Sequence, residues 1–398
     1  MSQNNNDSTT EPKQSSSALY DPRVRGAVFQ ALLVMFLVWL GWTIFQNTLQ
    51  NMESRGITTG FDFLSNPAGF EILMSLVPYS SESTYGRTFL VGLLNTVLVS
   101  LVGIFLATIL GFVMGVARLS KNFLIAKVAS FYVETLRNIP LLLQIFFWYF
   151  AVLQPLPSPR NSAEFAGVFF LNNRGLYVPA PILEAGFNFV VAAFILGIMG
   201  TIVLSKWARK RQEATGQQFP VLYSSLGLII GLPLVVFLLL GAPLSWDMPG
   251  LKGFNFRGGV PIIPEFIALL MALTTYTAAF IAEIVRAGIL AVPHGQTEAA
   301  ESLGIKKSVS LRLIIIPQAM RVVIPPLTSQ YLNLAKNSSL ATAIGYPDIV
   351  SVFMGTTLNQ TGQAVEIVAM TMAVYLTISL TLSVVMNWYN KAMALKER

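Results

Sequence analysis

Apolar blocks of about twenty residues recur along the whole chain, each long enough to cross the hydrocarbon core of a bilayer as a helix. Eight such spans are read from the sequence: Ala27 to Phe45, Phe89 to Val116, Ile125 to Leu153, Phe189 to Trp207, Leu222 to Leu240, Phe266 to Ile289, Met320 to Lys336 and Ala364 to Trp388. In lipid the backbone must satisfy its own polar groups, so apolar runs of this length are expected to be helical. Charged residues make up 11% of the 398 positions, less than half of the share of about 25% usual in soluble domains. The expected fold class is all-α integral membrane, with about eight transmembrane helices. Two spans are irregular: the third contains Glu134, Arg137 and Pro140, and the seventh is interrupted by Pro325 and Pro326.

The basic residues set the expected orientation. With a cytoplasmic N-terminus the inside segments hold eighteen Lys and Arg, densest from Lys206 to Arg211, and the outside segments hold six. That bias puts both termini in the cytoplasm. It also accounts for the net charge of +7 by short clusters between spans rather than by one basic face, which argues against nucleic acid as a partner. The chain contains no cysteine, so disulfides and thiol chemistry are excluded, and its single histidine, His294, is expected in an exposed loop. The first twenty residues are polar and poor in Lys and Arg, which fits a disordered tail and not a signal peptide. Gly111 and Gly115 are four residues apart in the second span, a spacing that permits close helix approach but also occurs in ordinary membrane packing.

One loop differs from all others. The stretch of about thirty residues from Ala291 to Met320 is long for a structureless connection. Glu298 to Leu303 favours helix, Gly304 suits the left-handed position past its end, and Ser308 is placed to cap a following helix. Ala299, Ala300 and Gly304 would let another surface approach closely, while Glu298 and Glu301 offer charge to basic groups. A helix lying on the membrane surface would instead carry bulky apolar anchors and a basic face.

The order Glu298-Ala299-Ala300, then Gly304, then Ile314-Ile315-Ile316-Pro317 resembles the EAA loop of the membrane subunits of ABC importers, with Ile316 where leucine is usual. Three further segments resemble the polar amino-acid permeases of the histidine, glutamine, arginine and opine type: Glu134 to Leu142, Ala282 to Gly288, and Lys336 to Ala341. Asn138 stands where glycine is commoner in that branch and Ser338 where threonine is. The resemblance implies a type I ABC importer permease core of five helices plus additional helices, in the bacterial inner membrane, moving amino acids inward. It implies that Glu298, Ala299, Ala300, Gly304 and Pro317 dock a separate ATPase, present in two copies, which holds the ATP and Mg; this chain itself would bind no cofactor. It implies two more partners, a second and non-identical permease subunit and a periplasmic amino-acid-binding protein. The additional segments resemble those of the larger membrane subunit of general L-amino-acid importers.

On this basis the chain divides into a disordered tail (1–26), an additional N-terminal transmembrane helix (27–46), a first part of the permease core (87–153), an inserted segment with two spans and outside loops (154–262), a second part of the core (263–390) carrying the coupling loop (290–318), and a cytoplasmic tail (391–398). The nearest approach to a phosphate-binding loop, Gly304 to Ser308, lacks the glycine directly before its lysine and a preceding strand. ATP hydrolysis is therefore expected on another polypeptide.

Prolines inside a membrane helix free carbonyls, which is acceptable where the backbone faces protein or a watery cavity. Pro325 and Pro326 thus mark a candidate substrate pathway, to which Ser338 is also assigned; just beyond them Ser329, Gln330, Asn333, Lys336 and Asn337 suit the amino and carboxylate groups of an amino acid or, equally, hydrogen bonds to neighbouring helices. Glu134 with Arg137, and Glu283 with Arg286, are three apart and are expected to form structural or gating ion pairs. The rival reading is an ion-gradient-driven amino-acid transporter, which leaves the EAA-type loop unexplained; a membrane enzyme lacks a convergent set of catalytic groups or metal ligands.

Overall fold

The computed structural model describes residues 22–54 and 59–393. The tail segments at 1–21 and 394–398 lie outside them. Among the described residues seven helices are long and apolar enough to cross a membrane, and a bent pair makes an eighth span. The helices are α1 (Pro22–Ser54), α2 (Tyr85–Ala117), α3 (Phe123–Asn138), α4 (Leu141–Leu153), α5 (Phe187–Thr215), α6 (Val221–Leu239), α7 (Pro264–Leu290), α8 (His294–Ser302), α9 (Lys307–Ile344) and α10 (Ala364–Met393).

The third span departs from a single straight helix. α3 and α4 meet at 108° because the residue before a proline is driven into extended backbone, and Ile139 adopts φ −94° and ψ 126° ahead of Pro140. The buried Gln144 side chain donates to the carbonyls of Leu136 and Ile139 at 2.9 and 3.0 Å. It satisfies acceptors that the end of α3 leaves without helical donors. The seventh span departs in the other direction: helix runs through Pro325 and Pro326 without a break, although the carbonyls of Arg321 and Val322 lose their usual donors there.

The core is the contact of α2, α7 and α9, with Val99, Leu269, Leu273, Ile281, Val323 and Leu334 buried in it. Glycine makes this contact possible. A Cβ at Gly111 would stand 2.6 Å from Ile281, and one at Gly115 would stand 2.7 Å from the Ala282 carbonyl. The pair therefore serves a close approach between α2 and α7, the dispersion-driven contact that small residues allow in lipid. By contrast α1 from Arg25 to Thr48 is exposed within this chain apart from the half-buried Thr43, as suits a helix whose solvent is hydrocarbon.

A second, smaller core joins Phe63, Tyr85, Ile349, Phe353 and Ile367. It seats the chain that returns after α9. Gly345, at φ +75°, turns that chain back toward α2, where Asn95 donates to the carbonyls of Met74 and Pro347, both at 2.9 Å. The neighbouring Asp348 is fully buried and accepts from the Ser351 amide at 2.8 Å.

The expected outside loops hold short antiparallel strands besides turns. β1 (Ala163–Phe165), β2 (Phe169–Asn172), β3 (Gly175–Val178) and β4 (Ala180–Leu183) precede α5, and β5 (Leu244–Asp247), β6 (Gly250–Lys252), β7 (Asn255–Arg257) and β8 (Val260–Ile262) follow α6. β3 pairs with β8, Leu176 opposite Ile262, and β4 pairs with β5, Ala180 opposite Asp247. Both loops thus lie at the same end of the bundle. Gly175, at φ +123° and with room for no Cβ beside the Ile262 carbonyl, fixes the crossing of β3 and β8.

Candidate functional site

At the end of the bundle away from the strands, α8 joins α7 to α9. It starts at His294, earlier than Glu298, so that His294 is an exposed helix residue and its Nδ1 lies 2.9 Å from the Glu298 carboxylate. Ala300 is buried against the chain, while Glu298, Ala299 and Glu301 face outward. The helix ends as its glycine requires: Gly304 adopts φ +67°, its amide bonds the Glu301 carbonyl at 2.9 Å, and the Ile305 amide bonds Ala300 at 3.0 Å. Apart from Gly304 and its two chain neighbours, no heavy atom of the described residues lies within 4 Å of a Cβ built on Gly304, so the space beside it is open to a partner. Ser308 does not cap the next helix; α9 begins at Lys307, with Lys306 before it and no side-chain cap. Pro317 is half-buried in the first part of that helix.

Next to this face lies an ionic cluster centred on Glu283. Arg286 donates to its Oε1 at 2.5 Å, the pairing that the spacing predicts. The pairing of Glu134 with Arg137 does not form. Glu134 instead lies 3.8 Å from Arg118, and Arg137 lies 3.8 Å from Glu283 and over the Phe280 ring at 5.1 Å. Arg118, just past the end of α2, also donates to Glu283. Proximity in sequence misleads here because a third helix delivers a better-placed cation. One carboxylate on α7 thereby ties the end of α2 and the end of α3 together.

α9 carries two unlike faces. Leu327, Tyr331, Leu334 and Ala335 are buried, and the Tyr331 hydroxyl meets Thr108 of α2 at 2.8 Å. Pro325, Pro326, Ser329, Asn333 and Lys336 lie on the opposite, exposed face, flanked by the half-buried Gln330 and Asn337. Among the described residues the amides of Gln330, Asn333 and Asn337 have no side-chain hydrogen bond within the chain. Ser338 is not with them: it is buried and donates to the Ala335 carbonyl at 2.7 Å. Among the described residues no group of acidic and histidine side chains could hold a metal ion.

Residues 220–395 match the family model described as the inner membrane component of binding-protein-dependent transport systems. The general L-amino acid transport system permease protein AapQ of Rhizobium johnstonii is 52% identical over 96% of this chain and 95% of its own length. The chain belongs to the amino-acid ABC transporter permeases. The glutamate/glutamine/aspartate/asparagine transport system permease protein BztB of Rhodobacter capsulatus is 43% identical to this permease, over 96% of the chain and 97% of BztB. A crystal structure of an amino acid ABC transporter with histidines overlays on the permease with a TM-score of 0.45 and 20% identity, covering 77% of this chain and 95% of that one.

Sequence reasoning misses several groups that organise the permease. Arg118 reads as one of many inside charges, and its position after the last turn of α2 is its only signal. Asn95 and Asp348 are buried polar residues, and a polar side chain inside an apolar run is the mark by which such latches can be found.

Proposed function

We propose that this permease forms half of the membrane pathway of an importer that carries L-amino acids from the periplasm to the cytoplasm, driven by ATP hydrolysis on separate subunits. It pairs with a second, non-identical permease subunit, receives substrate from a periplasmic binding protein and is gripped at α8 by one of two ATPase subunits, which hold ATP and Mg. Both termini and the Lys206 to Arg211 cluster lie in the cytoplasm.

The observation that carries this reading is the outward face of α8, with Glu298 and Ala299 exposed and open space beside Gly304 at φ +67°. A partner with a basic groove can close on that helix, and α7 and α9, which flank it, would move with it. The exposed stripe of α9 supports the pathway. Among the described residues its amides have no side-chain hydrogen bond, a costly arrangement in lipid but a suitable one against a second subunit around a polar passage. Glu283 with Arg118, Arg137 and Arg286 would keep the ends of α2, α3 and α7 moving as one body.

The test is reconstitution of the permease with its ATPase, second subunit and binding protein in proteoliposomes. Uptake of labelled amino acid that needs external binding protein and ATP on the ATPase side supports the reading. Uptake driven by an ion gradient through the permease alone would overturn it.

A further inference from the structure

The inserted segment builds a second polar site at the strand end of the bundle. A cavity of 460 Å³ opens there between the core helices and the paired strands β3 and β8, within the range of about 300–1,000 Å³ usual for small-molecule sites. Its walls have two origins. Tyr149 of α4 and Glu265 of α7 come from the core, and Asn173, Arg174 and Asn255 come from the insert.

Of the two charges in the cavity Glu265 is oriented by a hydrogen bond, Arg174 is exposed, and neither is in a salt bridge among the described residues. The Tyr149 hydroxyl donates to Glu265 Oε1 at 2.9 Å, which orients the carboxylate and leaves Oε2 for another donor. Arg174 sits at the tight turn between β2 and β3, its amide bonded to Asn172 Oδ1 at 2.8 Å, and its guanidinium has no ion-pair partner among the described residues. Asn255 is fixed by the Tyr177 hydroxyl at 3.0 Å, and the Tyr177 and Phe256 rings lie 4.9 Å apart as an apolar wall.

We propose that this cavity binds a free L-amino acid, with its α-carboxylate on Arg174 and its α-ammonium on Glu265. A zwitterion is the ligand that uses both charges: Glu265 opposes a plain anion such as a phosphate, and Arg174 opposes a metal ion. The amides of Gln154 and Asn173 add hydrogen bonds to the same two groups, and the aromatic wall accepts side chains of varied size. The inference rests on the importer reading and its orientation, under which the site faces the periplasm and holds substrate at the mouth of the pathway before it passes to the stripe on α9. A core without the insert would lack the cationic half.

The experiment uses the complete complex of permease subunits and ATPase in nanodiscs, without the binding protein, titrated with L-glutamine, L-glutamate and L-alanine. At least one is expected to bind, N-acetylation of that amino acid should abolish binding, and Arg174→Gln and Glu265→Gln should each weaken it tenfold or more. The amide introduced by Glu265→Gln would still accept from Tyr149, so the wall stays in place. Arg160→Gln, outside the cavity and over the Phe254 ring, should leave binding unchanged. Absence of binding by the wild-type complex, or unchanged affinity in both cavity variants, overturns the site. So does a second measurement, with binding protein added, in which Arg174→Gln and Glu265→Gln lose its capture while amino-acid affinity stays intact, which would make this face a protein-docking surface. Failure of ATP-driven uptake in the wild-type complex would sink the importer reading instead, so the two failures are distinguishable.

Discussion

Arg118, the residue after the last turn of α2, donates to the Glu283 carboxylate on α7, and Arg286 reaches the same carboxylate at 2.5 Å. Removing the carboxylate leaves two guanidiniums facing each other, with Arg137 close by at 3.8 Å from the same group. Glu283→Gln should therefore lower the melting temperature of the purified complex and slow uptake severalfold. Glu134→Gln, at a side chain 71% exposed, should change neither, since exposed pairs contribute about 0–1 kcal/mol. Equal effects of the two variants would remove Glu283 from the centre of the cluster.

The contact of α2 with α7 depends on Gly111. A side chain there meets Ile281 at 2.6 Å, and overpacking of this kind typically costs about 1–3 kcal/mol. Gly111→Leu should reduce the yield of folded permease, and Ile281→Ala in the same chain should restore part of it. Additive losses, measured as monodisperse protein after solubilisation, would show that the two sites do not share one contact.

The exposed amides of α9 give a separate test of the pathway. Asn333→Leu and Gln330→Leu should lower uptake while the complex still assembles with its ATPase, because among the described residues neither amide has a side-chain hydrogen bond. Unchanged uptake kinetics in both variants would assign these residues to packing.

Orientation is testable on a chain that offers a cysteine-free background. A cysteine at Gln212, in the last turns of α5 beside the basic cluster, should resist membrane-impermeant reagent in intact cells and react in inverted vesicles. Labelling in intact cells would reverse the orientation.

Some of these features are legible in the sequence and others are not, for physical reasons. The spans are legible because lipid demands long apolar runs, and the left-handed turn at Gly304 because glycine tolerates positive φ where other residues are strained. The bend between α3 and α4 has its signal in Pro140, but apolar residues on both sides conceal it. Pro325 and Pro326 give the opposite error: packing against α2 and α7 keeps α9 helical where local propensity would break it. The strands are three or four residues long, too short to show a period, and two of their pairings, Tyr177 with Pro261 among them, join loops that two spans separate. The partner of Glu134 is hidden for the same reason, since Arg118 reaches it from another helix.

The most direct test of the central claim lies at Gly304. A β-branched side chain at φ +67° costs about 1–3 kcal/mol in backbone strain and fills the space beside α8. Glu298→Lys places a cation where a basic groove is expected. ATP-coupled uptake should therefore be measured for Gly304→Val and Glu298→Lys in proteoliposomes, alongside retention of the ATPase. Both variants are expected to insert normally and then either lose the ATPase or hydrolyse ATP without import. Full ATPase retention with wild-type coupled uptake in both would show that α8 is not the coupling element.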